Sequence, residues 1–421
     1  MLHSSSRWLV LTVAFIAAVG AAAISSLPAR AQGATDSRIL TLKQALDAAW
    51  QRQPEARSAG ARRQAADAQR AVAQSWTAEP MTLELSAKTD RVTGNHGGRE
   101  YVAGIAAPLW LPGERARAQA LAQAEMSVVE TKAVAARWRL AGAVREAWWA
   151  AQRSALETSL TQARLANAEQ LALDVARRVK AGDLSRADQL QADGVVAAAQ
   201  SALAEARSTQ SQSRQALQAL TGSPPAESVP ATAEALAGVT AGVATDHPAL
   251  RELAARVESA RRARELASVQ TRANPELTVS ATRDRGVFGD PYGQSLTVGV
   301  RIPFGSDDRN RARMAAAGAE QTEAESQLEL ERSRVETEIS AADVRVGATR
   351  LMVEAADKRA ALALETRRIF EKSFRLGESD LPTRLRVELD AAEAERQRER
   401  AHIDMAQALS QWRQALGLLP E

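Results

Sequence analysis

The sequence predicts a mainly α-helical protein with a small β part, in which one layout of elements occurs twice. Residues 41–222 and 246–417 each read as an entry helix, two short alternating strands, a very long helix, a tight turn and a shorter helix. Equivalent positions lie 195 residues apart: Pro108 and Pro303, Gly182 and Gly377, Gly222 and Gly417. A repeat of this length indicates a duplicated domain-sized unit rather than a solenoid.

The N-terminal residues predict an export signal over residues 1–31. Arg7 supplies the positive end, residues 8–24 are apolar, and Ala29-Arg30-Ala31 is a small-x-small cleavage site, so the mature chain would begin at Gln32. The alternative is a signal anchor that stays in the membrane. No other stretch approaches the ~20 apolar residues of a membrane helix.

The amino-acid composition argues against several classes of function. Cysteine is absent, so we expect neither disulfides nor a cysteine-linked lipid anchor. The formal charge of +3 is too small to predict nucleic-acid binding. The four histidines lie on separate segments without metal-ligand spacing. With no phosphate-binding loop or nucleophile–base arrangement either, we expect no enzyme, no catalytic residue, no cofactor and no metal site.

The first repeat is predicted to span residues 32–222. A helical run over 41–78, interrupted at Pro54, precedes strands at about 81–90 and 101–110. A helix over about 114–181 contains no proline and would extend ~100 Å. A return helix follows over about 185–221.

After a proline-containing linker at 223–245, the second repeat covers residues 246–421. Its entry helix opens at Asp246-His247-Pro248, with Asp246 as a plausible cap and His247 as a loop or cap residue. Strands at about 275–284 and 294–304 precede a helix over about 308–376 and a return helix over about 380–416. Apolar residues of the long helix recur at steps of four and three, which predicts a coiled-coil seam, with Arg367 as an imperfection: Val335, Ile339, Ala342, Val346, Thr349, Val353, Ala356, Ala360, Ala363, Phe370 and Phe374.

The strands resemble those that cross membranes. Each alternates apolar and polar residues over close to the ~9–11 residues needed to cross a bilayer at a tilt. Six of the aromatic residues lie near strand ends, as in interfacial girdles: Trp76, Tyr101, Trp110, Phe288, Tyr292 and Phe304. The alternative is an ordinary soluble hairpin with aromatic residues at its edges.

Four strands cannot close into a barrel. In lipid every edge N–H and C=O must be paired, and the smallest membrane barrels have ~8 strands. If these strands lie in a membrane, the barrel must be shared between chains, which predicts an obligate oligomer.

Each long helix is predicted to end at a glycine turn, in residues 180–185 and 375–380. Gly182 and Gly377 can adopt the left-handed C-cap conformation. Ser185 can cap the first return helix, and Ser379 or Asp380 the second.

The whole mature chain resembles the TolC-like outer membrane efflux proteins, with the heavy-metal (CzcC-like) branch as the nearest. The resemblance rests on the order, spacing and duplication of short matches: residues 40–46, Pro54 and Pro248, Pro108-Leu109 and Pro303-Phe304 before Arg-x-Arg, Gly182 and Gly377, Leu220-Thr221-Gly222, and Leu416-Gly417. It implies a homotrimer in the outer membrane, with a twelve-stranded barrel in lipid and a helical tunnel through the periplasm. It also implies docking onto a periplasmic adaptor and an inner-membrane pump of the RND type, and passive export of cations, metal ions or small toxic compounds.

In this family the hairpin tips contact the adaptor and close the tunnel. The resemblance assigns that role to ten residues of the two turns, although two simply capped turns would look the same: Lys180, Gly182, Asp183, Ser185, Arg375, Leu376, Gly377, Glu378, Ser379 and Asp380. Relatives often carry acidic rings one and two turns past the glycine, where this sequence has Thr383 and Arg386 instead. The neighbouring candidates for tunnel-tip acids are Asp188, Asp193 and Glu388.

Two rival classes remain from the residues alone. A periplasmic adaptor would place one hairpin between β-rich modules, whereas this sequence has two hairpins and two strand pairs. A structural coiled-coil protein would need neither an export signal nor four strands with aromatic ends. The exported substrate and the identity of the pump are not determined by these residues.

Overall fold

The computed structural model describes residues 41–224, 226, 233–235, 246–305 and 307–421. The predicted export signal and most of the predicted linker lie outside these residues. Seven helices occur in the described part of the chain: α1 (Leu42–Arg52), α2 (Pro54–Ala73), α3 (Glu114–Ala181), α4 (Arg186–Thr221), α5 (Pro248–Val269), α6 (Asp307–Arg375) and α7 (Leu381–Ala415). Four strands accompany them: β1 (Thr82–Thr89), β2 (Arg99–Pro108), β3 (Glu276–Arg285) and β4 (Gly293–Arg301).

The two long helices have the lengths that the sequence predicts. α3 contains 68 residues and α6 contains 69, so each extends for ~100 Å. α3 begins and ends at the predicted residues, and α6 begins one residue earlier than predicted, at Asp307. The mainly α-helical fold with a small β part is confirmed.

The entry segment of the first repeat differs from the prediction only at its C-terminal end. The helical run over 41–78 is interrupted at Pro54 as predicted, because α1 ends at Arg52 and Pro54 begins α2. α2 ends at Ala73, so residues 74–78 are not helical. There the chain bends toward the sheet, and the indole of Trp110 donates a hydrogen bond to the Ser75 carbonyl at 3.2 Å.

The sequence offers both Asp246 and His247 as the cap of α5, and in the structure the cap is His247. Its ring nitrogen Nδ1 accepts a hydrogen bond from the Ala249 amide at 3.3 Å. The His247 side chain is buried, with an exposed fraction of 1%. Asp246 instead lies 3.3 Å from Arg251 as an exposed ion pair.

The four strands form one antiparallel sheet in the order β1-β2-β3-β4. β2 lies two residues earlier than predicted and ends at Pro108, after which the Leu109 amide bonds to the Pro275 carbonyl at 2.7 Å. β4 ends at Arg301, before Pro303, which has no amide hydrogen for a ladder bond. The pairing of β2 with β3 joins the hairpins of the two repeats, so the strands make one continuous surface.

The helices pack in two sets along α3 and α6. In one set α3 contacts α2 and α5, and α5 contacts α6; in the other α3 contacts α4 and α7, and α7 contacts α6. The predicted seam of α6 lies toward these partners, since Val335, Val346, Ala360 and Phe374 are buried and the seam residues between them are half-buried. Arg367 is half-buried on the same seam.

The core consists of three separate apolar clusters, which lie at different positions along the helices. The largest joins α1, α3, α4 and α7 around Trp148 and Trp149. A second, around Trp412, joins α6 to α7 and the residues after α7. The third lies at the hairpin tips. Among the described residues, no helix combines the length and the apolar character needed to cross a membrane.

Candidate functional site

The two hairpin tips are built alike. Gly182 and Gly377 have φ of +86° and +75°, in the left-handed region that favours glycine. At each turn the following amide bonds back to the helix, from Asp183 to the Arg178 carbonyl at 2.9 Å and from Glu378 to the Ser373 carbonyl at 3.0 Å. These bonds satisfy carbonyls at the helix ends and reverse the chain tightly.

The return helices begin at side-chain caps. Ser185 accepts a hydrogen bond from the Asp188 amide at 3.2 Å, and Asp188 bonds back to the Ser185 amide at 2.9 Å. Asp380, rather than Ser379, caps α7 and accepts from the Thr383 amide at 3.1 Å. The tips are therefore fixed on both sides of each glycine.

Acidic groups at the tips stay ionised. Hydrogen bonds from Ser185 lower the pKa of Asp188, and hydrogen bonds from Thr383 lower the pKa of Asp380. The Asp380 charge acts on Asp188 in the opposite direction, so the two return helices bring negative charge close together. A helix N-terminus favours such charge.

The predicted site residues differ in how far their side chains are exposed to solvent. Seven of the ten tip residues are exposed side chains or backbone that a partner could contact: Lys180, Gly182, Asp183, Arg375, Leu376, Gly377 and Glu378. Ser185 and Asp380 are exposed but serve as caps, and Ser379 is half-buried. Among the predicted tunnel-tip acids, Asp193 is exposed, while half-buried Glu388 lines a 390 Å³ cavity between α3 and α7 together with Arg367.

Phe374 joins the two tips within one chain. Its ring is 2% exposed and lies between the guanidinium groups of Arg178, at 4.6 Å, and Arg384, at 4.8 Å. Arg178 also donates to the Phe374 carbonyl at 3.2 Å. The spacing of α6 predicts that Phe374 is buried, but nothing in the sequence links it to Arg178, which lies on the other hairpin.

A buried charge cluster was also missed by the sequence. Glu234, in the predicted linker, lies 2.8 Å from Arg145 of α3 and 3.4 Å from Arg413 of α7. All three side chains are at most 7% exposed, and the Ser410 hydroxyl also bonds to Glu234. This contact fixes residues 233–235 to both repeats. A lone glutamate in an alanine-rich segment gives no signal of it.

The sheet has one apolar and one polar face. Directly paired residues share a face, and the pairs of Ile105 with Val279 and of Val279 with Val298 define the apolar one. That face carries Leu83, Leu85, Ala87, Tyr101, Ala103, Ile105, Ala107, Leu277, Val279, Ala281, Leu296, Val298 and Val300. The other face carries Glu84, Ser86, Lys88, Glu100, Thr278, Ser280, Thr282, Asp284, Ser295 and Thr297.

The six predicted interface aromatics lie at the two ends of this sheet. Trp76, Trp110 and Phe304 lie at the end where the helices attach. Tyr101, Phe288 and Tyr292 lie at the loop end. Trp76 and Phe304 are 93% and 94% exposed, which is unusual for such large apolar groups.

No cation site is evident in the described part of the chain, where no group of three or more His, Asp or Glu side chains could hold a metal ion. The candidate sites in the described structure are therefore surfaces: the two exposed hairpin tips, and a sheet with one apolar and one polar face.

Solved structures of outer-membrane channels share this fold. The fold is similar to that of CusC, in crystal structures concerned with its folding and transmembrane channel formation (TM-score 0.74, 18% identity, 90% of this chain and 92% of that chain). It is also similar to the outer membrane protein VceC from Vibrio cholerae (TM-score 0.71, 18% identity, 89% and 96% of the two chains). The open state of the MtrE outer membrane channel of Neisseria gonorrhoeae gives a TM-score of 0.72 at 19% identity, over 90% and 89% of the two chains.

A protein-family model also matches part of the chain. Residues 45–223 match the model of the family described as outer membrane efflux protein. No curated protein matches the chain. The family match and the shared fold together support the TolC-like outer membrane efflux family predicted from the sequence.

Proposed function

We propose that this chain is the outer-membrane channel subunit of a tripartite efflux system, a passive conduit rather than an enzyme. The observation that carries the proposal is the sheet. One face is apolar, the other polar, and the edge strands β1 and β4 have no further strand partner among the described residues. In lipid such edges must be paired, and copies of the same chain can pair them.

The proposed assembly is a homotrimer. Three copies supply twelve strands, which exceeds the ~8 of the smallest membrane barrels. The apolar face would then contact outer-membrane lipid and the polar face would line the channel. The aromatic residues at both sheet ends would lie at the two membrane surfaces, and the long helices would extend into the periplasm.

The exposed tips are the proposed docking site for a periplasmic adaptor, which would connect the channel to an inner-membrane pump of the RND type. Leu376 is 64% exposed at the end of the second hairpin, an unusual place for a leucine without a partner. We assign the same role to Lys180, Asp183, Arg375 and Glu378. Asp188, Asp193 and Glu388 remain proposed as acids near the tunnel tip.

The proposed cargo follows from the resemblance to the heavy-metal branch: cations or metal ions, with small toxic compounds as the wider class. The described residues hold no metal cluster, so choice of cargo would lie mainly with the pump. The proposed export signal, cleaved before Gln32, would deliver the chain across the inner membrane, and the two repeats would be related by duplication.

The deciding experiment measures the mass and shape of the protein extracted by detergent from outer membranes, using light scattering and negative-stain imaging. We expect three times the mature chain mass and a tube at least ~100 Å long. A monomer confined to the soluble periplasmic fraction would exclude the shared sheet and favour an adaptor or a structural rod.

Adaptor docking is tested separately by crosslinking. Because the chain contains no cysteine, Glu378→Cys introduces a single reactive site at the tip. We expect this variant to crosslink in cells to a periplasmic protein with its own helical hairpin. The control, Thr322→Cys at an exposed position near the sheet end of α6, should not. Equal crosslinking of both variants would argue against docking at the tip.

A further inference from the structure

Three arginines lie on the apolar face of the sheet, in its last two rows at the loop end. Arg99 is directly paired with Arg285, and Arg283 is paired with Tyr101. Because alternate residues of a strand share a face, Arg99, Tyr101, Arg283 and Arg285 all belong to the apolar side. The positive charge therefore lies at the boundary of the surface that the proposed function assigns to lipid.

The carboxylates at this level lie on the opposite face. Glu100 is paired with Lys88 and with Asp284, and the Lys88 ammonium lies 4.0 Å from the Glu100 carboxylate. Within the described residues, none of the three arginines lies within ion-pair distance of a carboxylate. At this end of the sheet, side chains of both charges therefore lie on the polar face, whereas the charged side chains on the apolar face are all positive.

Aromatic rings hold two of these arginines in place. The Arg283 guanidinium lies 4.6 Å from the centre of the Tyr292 ring. Arg285 lies 5.0 Å from the same ring and 5.6 Å from that of Phe288, and its Nε donates to the Gly97 carbonyl at 3.0 Å. A guanidinium stacked on a ring keeps the N–H donors at its edge free, in the fork geometry that matches a phosphate.

We propose that Arg99, Arg283 and Arg285, called here the arginine rim, bind the phosphate groups of anionic lipid headgroups in the leaflet on the loop side of the membrane. The proposal rests on the proposed function, because it needs the apolar face to be in lipid. It adds a specific partner: the rim would select phosphorylated lipids as the immediate neighbours of the channel.

The position of the rim favours lipid as the occupant. The rows next to the arginines are apolar, with Ala103, Ala281 and Leu296 on the same face, so a headgroup held by the rim leaves its acyl chains against an apolar surface. Tyr101 and Phe288 are exposed beside it, as is typical of side chains at a membrane surface.

The test uses the full mature chain purified as the oligomer and placed in vesicles of phosphatidylcholine with phosphatidylglycerol. Native mass spectrometry then counts the phosphatidylglycerol molecules that remain bound. The variant Arg99→Gln/Arg283→Gln/Arg285→Gln removes the rim. The matched control is Lys88→Gln, which removes one positive charge one row away on the polar face.

We expect the triple variant to retain at least about fivefold less phosphatidylglycerol than the wild type, given the contribution of each basic residue near a charged membrane. Lys88→Gln should retain as much as the wild type. If the triple variant does not assemble, Arg99→Gln alone decides, since Arg99 makes no ring contact in the described structure and its removal should still lower retention.

Equal retention by the rim variants and the wild type would overturn the proposal, as would an equal loss in Lys88→Gln. These failures are distinguishable from failure of the proposed function. A wild-type chain that does not form an oligomer inserted in phosphatidylcholine alone would contradict the channel itself. Insertion without any dependence on the arginines would contradict only the rim.

Discussion

Among single residues, Glu234 makes a buried contact with both repeats. Its carboxylate is buried between Arg145 and Arg413, so it connects the segment between the repeats to a helix of each. The buried Arg145 guanidinium depends on it for charge balance, whereas Arg413 also lies 2.8 Å from the exposed Glu421 carboxylate. Such clusters add little when intact compared with apolar packing, but removal of one partner is costly because the remaining charge is buried and unpaired.

We therefore expect Glu234→Gln to lower the stability of the folded chain by about 3–5 kcal/mol. The measurement is the thermal midpoint of the detergent-solubilised protein. Glu205→Gln, at an exposed position of α4, is the control and should change stability little. A midpoint for Glu234→Gln equal to that of the control would mean that the cluster does not stabilise the fold.

His247 makes the stability depend on pH. Burial lowers the pKa of His247, with an opposing effect from the nearby Glu338 charge, and its ring Nδ1 must be unprotonated to accept the Ala249 amide. A folded-state pKa below the unfolded value means that the stability is present above the unfolded pKa and is lost as pH falls through the folded one. The ring also contacts Trp138 edge-on at 4.7 Å.

The corresponding prediction concerns acidification from about pH 7.5 to about pH 5, across the ordinary histidine pKa. We expect the thermal midpoint of the wild type to fall more than that of His247→Asn, which keeps a capping acceptor without a titratable ring. Parallel pH profiles for the two proteins would show that His247 is not the group responsible.

At the scale of elements, the hairpin tip combines a fixed core with a free surface. Phe374 is enclosed by two guanidinium groups, whereas Leu376, two residues away, is exposed. The same turn can therefore hold the two hairpins of a chain together and still present side chains to a partner.

These two residues give a matched pair of variants. Phe374→Ala should cost about 3–5 kcal/mol locally and accelerate amide hydrogen exchange at the ends of both hairpins, because it empties their shared core. Leu376→Ala should leave the exchange rates unchanged. Faster exchange in the second hairpin alone would indicate that the tips are not coupled through Phe374.

The sheet offers a second matched pair, in adjacent residues of β4. Val298 lies on the apolar face in the middle row, and Thr297 lies on the polar face. We expect Val298→Arg to destabilise the inserted sheet by about 2–4 kcal/mol, the cost of an arginine facing lipid at mid-depth. Thr297→Arg should be tolerated. The measure is the yield of assembled protein in outer membranes, and a reversed order would assign the faces the other way.

Sequence patterns predicted what is local and periodic. The seam of α6, the lengths of α3 and α6 and the glycine turns all follow from spacing within one element, and the structure confirms them. The Arg178–Phe374 and Glu234–Arg145 contacts join residues far apart in the chain, so no local pattern contains them. Where two cap candidates are adjacent, as with Asp246 and His247, the sequence does not choose between them, since the choice depends on burial by distant residues.

At the scale of the whole molecule, α6 carries a second apolar stripe on the side away from α7. Its residues are large, apolar and exposed: Leu330, Val344, Leu351, Leu362 and Ile369. At 100° per residue they lie roughly opposite the buried seam. An exposed stripe of this length predicts that a neighbouring copy covers it in the proposed oligomer.

We expect Val344→Glu/Leu351→Glu to reduce the mass of the extracted particle from that of an oligomer to that of one chain, because it places two charges on this stripe. Asp343→Lys, about a quarter turn away at an exposed position, should leave the mass unchanged. Light scattering in detergent distinguishes these outcomes. An intact oligomer of the double variant would show that the interface between copies lies elsewhere.

The open edges of the sheet have a genetic consequence. In the proposed ring of three copies, β1 and β4 of every copy must meet a neighbour, so one copy with a defective edge interrupts the whole ring. A cell that makes equal amounts of normal and defective chains would then assemble only about one-eighth of its rings from normal copies alone. Mutations in the edge strands β1 and β4 should therefore be dominant over the normal gene. Loss of one of two gene copies would only halve the amount of protein.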